Sequence, residues 1–330
     1  MGEILISVAI VGCGEIAFGY SAEEDGAKSK KAALDHARAL LEAGGFDLIA
    51  CVDPFHENLK RAENVFPNAK MFGTLEELRI SDQAIDLMVI SSPTEYHEQA
   101  LEYAISHRIK AVFCEKPITD SPTKSAQFVR DAAANGIELS VNLLRLWDSS
   151  MEEIRTRISK GEFGSLQSGS AVIVKDITHN GPHMVALLSD LLGDVVLDKE
   201  TTAALIRNGQ AKGKSGPCAC LSVGDRNIYL SIIDHHHYNF FELELFFEKA
   251  VVRLEDGGRR IVIRKPVPHP DYAKFLYPED ISVIEGHQRT ALVNAWSAWR
   301  AFFEQGTPMR KDVNWILRQE MICHQIKALM

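Results

Sequence analysis

Cysteine is scarce in this chain. There are six in 330 residues, with no CxxC pair and far too few for a disulfide scaffold. Cys13, Cys51 and Cys114 sit inside apolar runs, and Cys218 and Cys220 alternate in another, a usage that fits a reducing, cytoplasmic setting. Long hydrophobic runs are missing too. A membrane helix needs about 20 apolar residues, and the longest candidate, residues 184–197, is broken by Asp190 and Asp194. Residues 1–11 are apolar but carry no basic n-region and no small-residue cleavage site. They run straight into glycines and read as a first strand. No Lys/Arg block occurs, and 36 Lys+Arg against 45 Asp+Glu leave a net charge of −9. Such a chain is badly suited to gripping a phosphate backbone or an anionic lipid surface, so neither nucleic acid nor membrane is an expected partner. Repeats of 20–50 residues and low-complexity segments are also absent.

What is present is ordinary globular composition, 46% hydrophobic and 25% charged, enough for a large core. A length of 330 residues, at about 150 per domain, predicts two domains. Up to Asn142 the pattern alternates. Apolar, β-branched strands are expected at residues 4–11, 47–52, 85–90, 111–114 and 137–142. Helical spacing falls at 31–43, 57–65, 75–78, 96–107 and 123–135. Alternation of this kind means crossover units and a parallel sheet covered on both faces. After Asn142 the rhythm changes. Helices are expected at 149–159 and 183–192, then strands in succession at 166–174, 202–206, 218–223, 228–234, 240–247, 250–254 and 260–264. The Asp256-Gly257-Gly258 stretch supplies a hairpin turn. Two helices, near 285–303 and 313–329, close the chain. The expected architecture is therefore an α/β dinucleotide-binding domain over 1–142, followed by an α+β domain with a mostly antiparallel, open-faced sheet over 143–330.

The first strand runs into Gly12-Cys13-Gly14-Glu15-Ile16-Ala17, a G-x-G-x-x-A fingerprint. Gly12 permits the tight turn, Gly14 lets backbone approach a pyrophosphate, and Ala17 is small enough for the helix to pack on the strand. Glu15 and Ile16 then supply helix N–H groups to the phosphates. The second strand ends in an acid, Asp53. Its carboxylate suits the adenosine ribose hydroxyls and would repel a 2′-phosphate, and Pro54 and Phe55 follow with no Arg. NAD is expected over NADP. The fingerprint lies further from Asp53 than the usual ~20 residues. The excess falls in residues 20–30, a polar insertion that reads as a solvated loop or a lid.

Two further motifs follow strands of this half: Ser91-Ser92-Pro93-Thr94-Glu95-Tyr96-His97 and Cys114-Glu115-Lys116-Pro117. With the fingerprint and the later Gly181-Pro182-His183, the chain resembles the Gfo/Idh/MocA oxidoreductases over nearly its whole length. The resemblance implies that the Ser91-Ser92-Pro93 loop and His97 lie along the cofactor, that Glu115 belongs to the same site, and that Lys116 points at the substrate. Physics favours the same places, because ligands of open α/β sheets bind at the carboxyl ends of strands. A lysine just beyond a buried strand can polarise a carbonyl or stabilise a developing alkoxide. His97 has a second reading, that of packing the helix it sits on.

His183 resembles the family's general acid/base histidine. The family commonly has Asp four residues earlier and an acid three residues later; here these positions are His179 and Ala186. His179 and His183 then share the proton work, or His179 binds a substrate group. Asn142 and Arg145 follow the last strand of the first domain, where the family's chain reaches the active site. Arg145 either binds a substrate carboxylate or phosphate or pairs with an acid at the domain interface. Asp234-His235-His236-His237 looks like a metal cluster. On a strand, however, His235 and His237 share one face and His236 the other, so no metal is expected. Trp296, Trp299, Phe302 and Phe303 at helical spacing read as core.

The resemblance implies hydride transfer between NAD and a secondary hydroxyl of a sugar, cyclitol or nucleotide-sugar, in a homodimer or homotetramer formed through the C-terminal sheet. Two alternatives remain: a redox-neutral, NAD-dependent sugar enzyme of glycosidase type, and a non-catalytic dinucleotide sensor.

Overall fold

A computed structural model describes residues 5–20, 32–207 and 216–330. The insertion expected at 20–30 lies, Tyr20 apart, outside the described residues. The chain packs as two compact units. The first is the described chain up to Leu144 with Arg289–Leu317, and the second is Arg145–Gln288 with Arg318–Met330. The chain passes from the first unit to the second after Leu144, returns at Arg289 and passes over again at Arg318.

The first unit is built on six strands: β1 (Ile6–Val11), β2 (Phe46–Val52), β3 (Lys70–Phe72), β4 (Leu87–Ile90), β5 (Ala111–Cys114) and β6 (Glu138–Val141). All pair in parallel, in the order β3-β2-β1-β4-β5-β6. Every residue of β4 and β5 is buried, as a sheet covered on both faces requires. The chain order reverses between β1 and β4, which opens a crevice at their carboxyl ends. The short β3 has no strong hydrophobic signal, and the sequence pattern did not show it. Trp296 and Trp299 are fully buried. The Trp296 ring meets His36, Phe46 and Phe113 edge-on, with centroids 6.0, 4.9 and 6.2 Å away. The aromatic stripe is core at these two positions, while Phe302 and Phe303 are half-buried.

The second unit holds eight strands: β7 (Leu166–Val174), β8 (Val196–Leu197), β9 (Gly216–Val223), β10 (Arg226–Ile233), β11 (Phe241–Phe247), β12 (Val251–Glu255), β13 (Arg260–Pro268) and β14 (Leu276–Glu285). Their order is β14-β13-β12-β11-β7-β10-β9-β8. Every pair is antiparallel except β7 with β10. One face is covered by the helices Ser149–Ser159 and Gly181–Leu192 and by Cys323 and Ile326. The other is open, and β11 shows this plainly: Phe241, Leu243, Leu245 and Phe247 are buried, while Glu242, Glu244 and Phe246 are not.

Two expectations are corrected. Residues 202–206 are not a strand, because Thr202 lies in the helix Lys199–Leu205. The Asp198 side chain caps that helix by accepting from Thr201 N at 2.9 Å. The cap, with Glu200 in the first turn, outweighs the strand preference of two threonines. The last strand, β14, was not anticipated. Pro278, Glu279 and Asp280 break its alternation, as suits an exposed edge strand. All six cysteines are buried and free. Among the described residues no helix is long and apolar enough to cross a membrane.

Candidate active site

The loop after β1 carries the glycine fingerprint. Gly12 has φ +91°, and a Cβ there would overlap the backbone of Ser91 and Ser92. No other residue fits that close approach of two strand ends. Gly14 faces open space, so its backbone is bare where a pyrophosphate needs to come near. Glu15–Gly19 form a short helix, whose first N–H groups have no helical acceptor. Ser91 locks the loop from β4: its N–H donates to Val11 O at 2.8 Å and its Oγ to Gly12 O at 2.7 Å. The neighbouring Ser92 Oγ is buried and finds no partner among the described residues. A bare glycine and an orphaned hydroxyl beside one crevice fit a dinucleotide.

Asp53 is only 5% exposed. Its Oδ2 accepts from Cys13 N at 2.7 Å and its Oδ1 from Phe55 N at 2.9 Å. Asn58 Nδ2 bridges both oxygens at 3.1 and 3.2 Å. The carboxylate expected to face a ribose thus also ties its own loop to the glycines. The helix His56–Val65 that carries Asn58 also brings Arg61 round to Glu15, with Nη1 3.1 Å from Oε1. Arg61 lies beyond the Pro54-Phe55 pair that follows Asp53 in the sequence. The helical repeat, five and eight residues on, was the available signal.

At the end of β5 the side chains tie one another down. Glu115 Oε1 accepts from His36 Nε2 at 3.1 Å and from Asn142 Nδ2 at 2.7 Å. Burial works to raise the Glu115 carboxyl. The hydrogen bond and charge of His36 outweigh it, with help from Asn142 and Lys116, and hold the group below the usual carboxylate range. His97, 1% exposed, spans two loops: its Nδ1 lies 2.9 Å from Pro117 O and its Nε2 2.9 Å from Ser92 O. His97 is a strut between the Ser92 loop and the Lys116 loop. Glu115 and Asn142, expected along the cofactor and the substrate, are likewise occupied within the unit. Lys116, half-buried, sits between these pinned neighbours, and its bond to Pro117 is cis. His36 was missed altogether. It lies 79 residues from Glu115 in sequence, and no local pattern marks it.

In the second unit, His183 is the third residue of the helix Gly181–Leu192, with Pro182 in the first turn. A Cβ on Gly181 would press within 2.8 Å of Ile177 Cδ1 and 3.0 Å of Cys323 Sγ, so the small residue sets how deep the helix end seats. Asn180 braces that end by donating to Val174 O at 3.0 Å. His179 is exposed. Its N–H donates to Asp176 Oδ1 at 2.7 Å, and its Nε2 lies 3.1 Å from Lys175 Nζ. The amides and hydroxyl donated by Thr178 and His179 overcome burial and hold the Asp176 carboxyl low.

Two cavities flank this region. One, of about 760 Å³, is lined by Arg145, Lys175 and Asn180 among others. The other, of about 640 Å³, is lined by His179, Asp234 and His236 among others. Arg145 and His179 therefore belong to different cavities. Arg145 donates Nη2 to Gly257 O at 3.2 Å and lies 3.4 Å above the Phe241 ring. It does not pair with an acid among the described residues. The histidine run departs from its strand reading, because β10 ends at Ile233. Asp234, His235 and His236 gather in an exposed loop with one ligand atom each within 4.8 Å of one another.

Residues 6–143 match the family model described as an oxidoreductase family with an NAD-binding Rossmann fold. Over these residues the chain is similar to the NAD-binding domain of the Gfo/Idh/MocA oxidoreductases. An inositol 2-dehydrogenase of Rhodococcus jostii is 29% identical over 150 residues, 45% of this chain and 39% of that protein. The chain spans 39%, 25% and 34% of three inositol 2-dehydrogenases it matches. Among solved structures, an oxidoreductase from Agrobacterium radiobacter in complex with NAD+, L-tartaric acid and magnesium superposes with TM-score 0.70 at 14% identity, covering 97% of this chain and 94% of that one. A 3-ketoreductase from Actinomadura kijaniata in complex with NADP and TDP-benzene gives TM-score 0.73 at 16% identity, covering 98% and 97%. At such identities the likeness is one of fold, and it extends through both units.

Proposed function

We propose that this protein is a dehydrogenase that oxidises a secondary hydroxyl of a sugar, cyclitol or nucleotide-sugar to a ketone, or runs the reverse. The observation that carries the reading is Lys116, held at the carboxyl end of β5 between Glu115, pinned by His36 and Asn142, and Pro117, pinned by His97. Such bracing costs conformational freedom and serves a side chain that must meet a ligand in one place. Lys116 donates a hydrogen bond to the reacting oxygen and stabilises the charge that develops there. His183 takes the hydroxyl proton, and exposed His179 with Lys175 assists as a relay. Bound NAD supplies the hydride acceptor. Gly12, Gly14, Glu15 and Ile16 provide its phosphate cradle, Ser92 and Pro93 its flank, and Asp53 a partner for its ribose. The open face of the second sheet, with Tyr229, Phe246 and Val283 exposed by 41%, 37% and 55%, serves self-association into a dimer or tetramer.

Arg61 beside Glu15 favours a second reading, in which NADP is the cofactor and Arg61 receives its 2′-phosphate. Titration of the purified protein with NADH and NADPH, read by fluorescence, separates the two. Tight NADH and weak NADPH binding support NAD. The opposite order puts Arg61 in control, and no binding of either overturns the dehydrogenase. A screen of sugars and cyclitols with the preferred cofactor, repeated with Lys116→Met, tests the chemistry.

A further inference from the structure

The cavity of about 760 Å³ in the second unit is rich in cations, and nearly all are spent. Arg253 lies 3.3 Å from Glu244 and 3.4 Å from Glu255, Arg260 also pairs with Glu255, and Arg259 lies 3.5 Å from Asp256. Lys175 faces His179. Arg145 differs from all of these. Its guanidinium is stacked on Phe241 and gives one hydrogen bond, to the Gly257 carbonyl, while its Nε is buried without a partner among the described residues. No carboxylate of the described residues reaches it. Asp148, three residues on, is occupied by Ser150 and His287. Burial draws the Arg145 guanidinium down to about 10, against the attraction of Asp148, and it is still cationic at neutral pH. A half-buried cation without a counter-ion is unfavourable in the free protein. It becomes favourable when an anion arrives in the plane of its fork.

We propose that this cavity seats a carboxylate of the substrate on Arg145, so that the protein acts on a sugar acid or a comparable polyol bearing one carboxylate rather than on a neutral sugar. The proposal rests on the dehydrogenase reading above and names its substrate class. A single unspent guanidinium matches a monoanion. A phosphate dianion needs further donors, and here the other arginines are committed to acids, Lys175 is engaged with His179, and Glu242 adds negative charge to the lining. The ring of Phe241 fixes the plane in which the fork is offered. Asn180 lines the same cavity and precedes His183 by three residues on the helix end it braces. The anchor and the proposed base are thus carried by one unit.

The test is calorimetric titration of the NADH-loaded protein with matched probes: D-glucuronate against D-glucose, D-galacturonate against D-galactose, D-gluconate against D-glucitol, and D-glucose 6-phosphate. At least one acid is expected to bind tenfold or more tightly than its neutral partner. Arg145→Gln should erase that gain while NADH affinity stays within twofold. Arg145→Lys, which keeps the charge and loses the fork, should retain only part of it; this variant decides if Arg145→Gln does not fold. The proposal is overturned if no acid exceeds its neutral partner, if the gain survives loss of the guanidinium, or if glucose 6-phosphate exceeds every carboxylate. Failure of the wild-type protein to bind NADH is a separate result. It removes the dehydrogenase reading, and the same probe pairs without cofactor still judge Arg145.

Discussion

The two units of this protein manage polar groups in opposite ways. Around the glycine loop almost every side chain is occupied by its own unit: Asp53 by Cys13, Phe55 and Asn58, Ser91 by Gly12, Glu115 by His36 and Asn142, and His97 by two carbonyls. What is left over there is backbone, together with the buried Ser92 hydroxyl, which has no partner among the described residues. In the second unit Arg145 is left unspent over Phe241 while its neighbours pair off. The difference separates scaffold from contact. A group whose hydrogen bonds are all made internally holds something else in place. A buried donor without a partner marks where a ligand completes the count.

The strongest test of that division lies in one tripeptide. Lys116→Met removes the proposed catalytic ammonium and should lower turnover by about 10²–10³-fold, with NADH affinity within twofold in a fluorescence titration. A parallel loss of NADH binding would mean that Lys116 is scaffold after all. Its neighbour should behave in the reverse way. Glu115→Ala strands His36 and Asn142 and should cost about 3 kcal/mol in urea unfolding. This contribution depends on pH with a definite sign. Because the Glu115 carboxyl is held low in the folded protein, the stabilisation is complete above the unfolded value of about 4.3. It is lost as the pH falls through the folded value. The gap between wild type and Glu115→Gln should therefore close below about pH 4.

Adjacent serines sharpen the comparison further. Ser91→Ala should lower stability by about 1 kcal/mol and leave NADH affinity almost unchanged. Ser92→Ala should leave stability unchanged and weaken NADH about fivefold, the worth of one hydrogen bond. Equal behaviour of the two would break the distinction between spent and unspent groups. The smallest effect is expected at the surface. Arg61→Ala removes an exposed pair with Glu15 worth at most about 1 kcal/mol. It should change thermal stability little and lower the NADPH-to-NADH affinity ratio about twofold, about half that figure, if Arg61 reaches a 2′-phosphate.

Period and punctuation in the sequence carried a great deal. Residues 4–11 ending in Gly12, and the apolar β4 and β5, announce parallel strands because a sheet covered on both faces leaves no polar alternation. The alternation along β11 announces a sheet with one open face. Two elements failed for local reasons: the Asp198 cap turned a threonine pair into a helix, and the charges and proline of β14 hid an edge strand. The site divides along the same line. Chain order alone placed Gly12, Gly14, Ser92 and Lys116 at strand ends, since a residue just after a parallel strand must lie at the carboxyl edge. Which of their neighbours are occupied was decided only by folding. His36 reaches Glu115 across 79 residues and Arg145 reaches Gly257 across 112. Pairings over such separations depend on three-dimensional packing, which local periodicity does not encode.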